Sequence, residues 1–471
     1  MFSYPADSPR TSFAATLRSF AAADGLPFGE VLTQEHIQKV ADEEGVCFAS
    51  DPDCVYTPAV TLWAFLAQCL SSSKSCVAAV ARIAVLRVAL QLPPCAAATG
   101  AYCKARAKLP ERFLQRLALQ VGGEVERQAP DAWRWKHRRV LLADGTECSL
   151  PDTPENQRAY PQPGTQKPGL GFPLIRLVVL LTFATASLVG AAMGPHQGKE
   201  SGETALFRDL LDYLHPGDVV VADRYYCAYW LVAMLLARGV DVAFRLHARR
   251  GYDFRRGRRL GRGDHVVTWA KPPRPEWMDE QTYQQLPASL SVREIRFRVD
   301  QPGVRSREVI VATTLTDAAA YSKADVADLY HERWHVELDI RNLKQTLRMD
   351  ALSCKTPERV RKEVWAHLLG YNLIRQVMAQ AAVQANRAPR RISFAAAVQT
   401  VNAFRWVLLF SPSGGYGQVV EVLWLAVASH EVGERPGRCE PRKVKRRPKG
   451  YPWLTRPREE ERAKVRAARP T

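Results

Sequence analysis

The chain reads as a mixed α/β protein with a helical N-terminal domain, a β-rich insertion within the α/β core, and a helical C-terminal region. Three observations predict this. Apolar residues recur at helical spacing through most of residues 1–135. Between residues 136 and 250, short β-branched runs alternate with helical patterns, as in α/β cores. Residues 250 to about 320 hold alternating strand patterns joined by Gly- and Pro-rich connections, and helices resume near Lys323.

In chain order, helices are expected over residues 28–44, 60–70, 76–90 and 111–120. The segment Thr99-Gly100-Ala101-Tyr102-Cys103-Lys104-Ala105-Arg106-Ala107-Lys108 is basic and carries an aromatic, as DNA-binding edges do. Strands are expected at 140–144, 174–181, 188–192, 219–223 and 240–246, with helices at 203–214 and 225–237. Residues 177–193 are uncharged and long enough to suggest a membrane span, but Thr182, Thr185 and Ser187 interrupt them. Two buried strands with a turn near residues 184–187 explain them better. The insertion, about 248–320, has strand patterns at 265–269, 291–299 and 308–314. It opens on Arg249-Arg250 and Arg255-Arg256-Gly257-Arg258-Arg259. Helices follow over 357–382 and 394–404. These patterns divide the chain into domains at 1–135 and 136–410, with a C-terminal region at 411–471.

Composition narrows the partners. The 471 residues are 46% hydrophobic, enough for two or three cored domains. The net charge of +18 biases the chain toward a polyanion, either nucleic acid or an anionic membrane surface. From Arg435 onward, fourteen Lys or Arg face four Glu, so about +10 of that charge lies in a Pro- and Arg-rich tail expected to be extended or disordered in isolation. The ten cysteines form no CxxC pair and no zinc pattern. The start, Met1-Phe2-Ser3-Tyr4-Pro5, lacks a basic-then-apolar signal. A cytosolic protein with reduced thiols and no membrane attachment is therefore expected.

Two carboxylates share one context, Val140-Leu141-Leu142-Ala143-Asp144 and Val219-Val220-Val221-Ala222-Asp223. An acid at the end of a buried strand is held rigidly, and open α/β sheets place ligand sites beyond strand ends. Each Asp alone also suits a turn or a helix N-cap, and Asp144-Gly145 is a common turn pair. Further on, Tyr330, Arg333, Glu337 and Lys344 are spaced so that, at 100° per residue, they fall within roughly 60° around one helix. Spacing alone leaves two readings of that stripe. It is either a solvated, ion-paired face or a site combining a metal-binding carboxylate with phosphate-gripping cations. With Asp144 and Asp223, Glu337 completes an oxygen-rich set of the kind Mg²⁺ prefers.

On these residues the chain resembles bacterial insertion-sequence transposases of the DDE class, in the group marked by a Tyr-Arg-Glu-Lys signature. In that signature two residues separate Tyr from Arg, three separate Arg from Glu, and six separate Glu from Lys. Tyr330, Arg333, Glu337 and Lys344 match it without a gap, and the likeness covers about residues 136–410. The resemblance implies an RNase H-like core with Asp144, Asp223 and Glu337 as catalytic triad and metal ligands. It implies Mg²⁺, with Mn²⁺ able to substitute, and two-metal phosphoryl transfer on double-stranded DNA: cleavage at element ends, then joining of the 3′-OH to target DNA by a homodimer. Arg333, Lys344 and Arg224 would contact phosphates, and Tyr330 would support the terminal nucleotides. His196 and Lys199 are further loop candidates for DNA contact.

One departure stands out. Hairpin-forming relatives carry a Trp late in the insertion, whereas residues 309–316 hold none. Trp269 and Trp277 are the insertion's tryptophans, and neither aligns to that role. The competing readings are another RNase H-like nuclease, a domesticated DNA-binding protein, and a membrane-associated protein using its basic tail. The N-terminal module and insertion count against the first, the intact acids against the second, and the lack of an amphipathic anchor against the third.

Overall fold

The computed structural model describes residues 32, 34–48, 54–89, 92–247, 249–298, 308–410, 416–432 and 453–467. One nine-stranded sheet organises them, in the order β3-β2-β1-β4-β5-β9-β8-β7-β6. Its strands are β1 (Val140–Ser149), β2 (Leu174–Thr182), β3 (Leu188–Pro195), β4 (Val219–Ala222), β5 (Asp241–Arg245), β6 (Arg258–Gly261), β7 (Asp264–Ala270), β8 (Ser289–Arg298) and β9 (Glu308–Thr313). The pairs β1–β4 and β4–β5 are parallel, and every other neighbouring pair is antiparallel.

The β-rich segment does not stand apart from the core. Strand β9 pairs with β5, Ala243 opposite Thr313, and carries β8, β7 and β6 outward as a continuation of the same sheet. Buried ion pairing fastens the junction. Arg293 on β8 donates to both Asp264 carboxylate oxygens, at 2.8 and 2.6 Å, and to the Tyr321 carbonyl at 2.6 Å.

The uncharged run at 177–193 folds as the β2–β3 hairpin. Its turn is closed by Ala186 at φ 58, a left-handed conformation that a small side chain tolerates. Among the described residues, no helix is long and apolar enough to cross a membrane.

The helix Pro357–Gln384 runs behind the sheet and is buried along most of its length. Asn372 ties it to two neighbours at once. Its side chain accepts from Leu188 N–H at 2.8 Å and donates to the carbonyls of Leu188 and Ala118, both at 2.8 Å. Ala118 belongs to the helix Glu111–Arg127, which approaches β3 so closely that a Cβ on Gly122 would lie 2.0 Å from the Leu188 carbonyl oxygen. Trp365 and Arg361 of the long helix both donate to Glu111, at 3.1 and 2.7 Å. The N-terminal helices and the core therefore share one buried apolar cluster.

Several elements differ from the sequence expectation. Helix 203–214 shortens to Glu203–Arg208 followed by a 3-10 turn at Leu211–Tyr213, and helix 225–237 starts only at Tyr229. The start of the expected helix 28–44 and the tail at 433–452 lie outside the described residues. Within the tail, Arg458–Ala467 is helical rather than extended. Three glutamates in its first turn and basic residues in its last complement the helix dipole, and Lys464 pairs with Glu461 at i,i+3 spacing.

Candidate active site

Strands β1 and β4 run parallel with Leu142 opposite Val221. Two residues further on, Asp144 and Asp223 lie at the same level of adjacent strands. Strand β4 ends at Ala222, but β1 does not end at Asp144. It continues to Ser149 because β2 still pairs with it, Asp144 opposite Val179 and Gly145 opposite Val178. Asp144-Gly145 is therefore extended backbone and not a turn, and Asp144 sits where β1 loses its β4 neighbour. Asp223 is not a helix N-cap. It closes a tight turn by accepting the Tyr225 N–H at 2.7 Å.

A third carboxylate stands beside these two. The Glu203 side chain occupies the space a Cβ on Gly145 would need, with its carboxyl carbon 2.4 Å from that position. Burial pushes the Asp144 carboxyl up to about 7, and the fields of Glu203 and Asp223 add to this against the Gly145 N–H and Arg333. Burial and the Asp223 charge likewise raise Glu203. Sequence reasoning missed Glu203. It follows Gly202 in the first turn of a six-residue helix, and nothing in its spacing marks it.

The Asp144 shift has a testable consequence for stability. Native Asp144 holds its proton from an ordinary value near 3.8 up to about 7, whereas the unfolded chain releases it. Stability therefore falls as pH rises through that window, and the penalty is complete above it. In divalent-free buffer at pH 8, Asp144→Asn is expected to be more stable than the native protein by roughly 2–4 kcal/mol. The gain should vanish near pH 4. Denaturant midpoints across this range measure it, and a variant no more stable at pH 8 would refute the buried-charge account.

The signature residues do not sit on one uninterrupted α-helix. The helix Lys323–His331, opened by a Ser322–Asp325 capping box, ends just after Tyr330. A tight turn at Glu332-Arg333 leads into the helix Trp334–Arg341, and a π-helical turn spans Asn342–Thr346. Tyr330 is only 8% exposed, its ring edge-on to Phe297 at 6.4 Å, and burial pushes its phenol up to about 12. Lys344 reaches β1, donating to the Glu147 carbonyl at 2.7 Å and Thr146 Oγ1 at 3.3 Å. Arg333 donates to Glu337 at 2.7 Å and also lies within the field of Asp144. The Glu337 side chain is 58% exposed.

Against this geometry, the family model described as "Transposase DDE domain" matches residues 135–373, just over half the chain. The chain belongs to the DDE transposase family. It is similar to the transposase InsG of insertion sequence element IS4 from Escherichia coli (strain K12), 27% identical over 364 residues, 75% of this chain and 78% of the relative. It also matches the putative transposase InsL of element IS186A from the same organism, 39% identical over 70 residues, 15% of this chain and 19% of that one. A solved structure, the cryo-EM structure of the piggyBac transposase synaptic complex with hairpin DNA, covers 87% of this chain and 85% of its own. That match has 9% identity and a TM-score of 0.40, too low to carry weight.

The protein is thus a DNA transposase, and family membership implies divalent-metal dependence. Among the described residues, no three His, Cys, Asp or Glu side chains already form a metal-ligand set. The donor chemistry nevertheless fits a hard cation. Asp144, Asp223 and Glu203 are oxygen donors that crowd negative charge, which a divalent ion would relieve. Glu337 is ion-paired with Arg333, whose charge also reaches Asp144.

The transposase's remaining candidates separate clearly. Arg224 is exposed beside Asp223, its guanidinium 5.6 Å from the Tyr225 ring centroid. His196 is bound to Glu147 at 2.6 Å, a carboxylate that Arg176 also holds, while Lys199 is exposed. Trp269 is buried, with the Arg250 guanidinium 3.8 Å over its ring and its indole N–H donated to Glu294 at 3.1 Å. Trp277 lies under Arg208, 3.9 Å from that guanidinium. Trp269 is thus a core residue, whereas Trp277 is 37% exposed.

Asp339 also escaped the sequence reading. It lies two residues after Glu337, roughly 200° around the helix, and so points inward where Glu337 points out. Arg375 and Arg390 grip it, Arg390 at 3.0 Å. Arg390 then donates to the Thr182 and Phe183 carbonyls at the β2–β3 turn, at 2.8 and 2.5 Å. This network fixes the Glu337 helix to the sheet. The available signal was an Asp among the inward positions Val336, Ile340 and Leu343.

Proposed function

We propose that this transposase binds the ends of a mobile element, cleaves the DNA there, and joins the freed 3′-OH to target DNA by in-line phosphoryl transfer. Asp144, Asp223 and Glu337 are the catalytic carboxylates, and β3-β2-β1-β4-β5 is an RNase H-like core. The observation that carries this reading is the parallel β1–β4 register, which sets Asp144 and Asp223 level on adjacent strands with Arg333 in the same field. The domain limits follow the same plan: 1–135 for DNA binding, 136–410 for catalysis with the insertion at about 248–320, and 411–471 for the basic C-terminal region.

Bound divalent ions, Mg²⁺ with Mn²⁺ able to substitute, would activate the attacking oxygen and stabilise the leaving one. Asp144 and Asp223 would hold them from the rigid strands, and Glu337 from the helix. Arg333 and Arg224 grip backbone phosphates, Arg333 in a fork geometry that suits two oxygens at once. A phosphate that takes Arg333 releases Glu337 from its ion pair. Lys344 adds a point charge beside β1. Tyr330, buried against Phe297, supports the terminal nucleotides from behind by holding the motif helix in place. Two protomers act together on the paired ends as a homodimer, on chromosomal DNA in the cytoplasm.

The test uses purified full-length protein, a linear DNA bearing the element's ends, and a target plasmid. With Mg²⁺ the expected products are cuts that expose 3′-OH at the ends, followed by joined target DNA. A protein that binds the ends yet neither cuts nor joins in Mg²⁺ or Mn²⁺ would overturn the reading.

A further inference from the structure

Tyr225 and Tyr226 follow the Asp223 strand end and take opposite positions. Tyr226 is fully buried, edge-on to Phe207 at 5.4 Å, while Tyr225 is 60% exposed. The Tyr225 backbone is fixed, because its N–H is donated to the Asp223 carboxylate. Its ring is flanked by the Arg224 guanidinium. An aromatic ring left in water forgoes burial energy, and this one stands within two residues of a candidate catalytic carboxylate.

We infer that Tyr225, with Arg224, is a stacking platform for an unpaired nucleobase at the DNA end engaged by Asp144 and Asp223. The inference rests on the proposed role of those acids. Base faces inside a duplex are covered by their neighbours, so an exposed ring meets one only where a nucleotide is terminal or displaced. Stacking on an aromatic accepts any base, and an adjacent guanidinium adds cation–π attraction or a phosphate contact. Each fits a protein that acts at strand ends. Tyr225 is a DNA-positioning residue here, with no part in the bond-making step.

The test is a binding measurement in divalent-free buffer, so its outcome does not depend on cleavage or on the triad assignment. Native full-length protein, Tyr225→Ala and Tyr225→Phe are titrated with two DNAs, one a fully paired element end and the other carrying unpaired terminal nucleotides with 2-aminopurine as the outermost base. Tyr225→Ala should lose about 5- to 150-fold affinity for the frayed end alone, the span expected for one base–aromatic stack. It should also lose the quenching of 2-aminopurine, while Tyr225→Phe retains both. Equal affinity of native protein and Tyr225→Ala for the frayed end, or the same loss on both DNAs, would overturn the inference. If Asp144→Asn still cleaves but the frayed-end discrimination holds, the acid assignment fails and the stacking contact stands.

Discussion

Asp144→Asn is expected to lose Mg²⁺-dependent cleavage by about 10³-fold or more while keeping most of its affinity for element ends, and Asp223→Asn and Glu337→Gln should behave alike. Metal-assisted charge stabilisation supplies several kcal/mol at the transition state, and each 1.36 kcal/mol is tenfold in rate. The three changes remove a charged oxygen donor and keep the side chain's shape, so folding and DNA binding should survive. Asp144 faces crowding from Glu203 and Asp223, so its replacement relieves repulsion while removing the ligand. Single-turnover cleavage beside a binding titration separates the two effects. Substantial cleavage by all three variants would sink the triad assignment.

Asp339→Ala is expected to destabilise the protein by about 3–5 kcal/mol, the range for breaking a buried ion pair by removing one partner. Asp339 is 3% exposed and Arg375 4% exposed, so the substitution strands a guanidinium in the interior. Among the described residues, Arg375 otherwise donates only to the Tyr371 hydroxyl at 2.9 Å and, weakly, to the Met378 sulfur at 3.9 Å, and is flanked by the rings of Tyr371 and Phe394, each 5.0 Å away. Those rings cannot replace a carboxylate. Arg390 would also lose the bond that couples the motif helix to the β2–β3 turn. Urea unfolding measures the loss, and a change under about 1 kcal/mol would reduce the network to an exposed-type pair.

Much of the site was legible because its residues sit in strong local patterns. The matched Val-Leu-Leu-Ala-Asp and Val-Val-Val-Ala-Asp runs marked buried strands, and those strands proved to be parallel neighbours. Glu203 and Asp339 were not legible, because each acquires its role from partners far along the chain. Glu203 matters through Gly145, and Asp339 through Arg375 and Arg390. The stripe kept Arg333 beside Glu337, but not on one unbroken α-helix. Ideal 100° spacing takes no account of the tight turn before Glu337 or the π-helical turn after it.

By itself the sequence determined the element types, the carboxylate and cation inventory, and the Tyr-Arg-Glu-Lys spacing, since periodicity and local composition act over a few residues. Only the tertiary structure decided that β1 runs on past Asp144, that the inserted strands extend one sheet, and that Arg333 holds Glu337. The first two outcomes depend on ladder partners between segments tens of residues apart, which no local pattern encodes, and the third chose between two readings that the i,i+4 spacing left open.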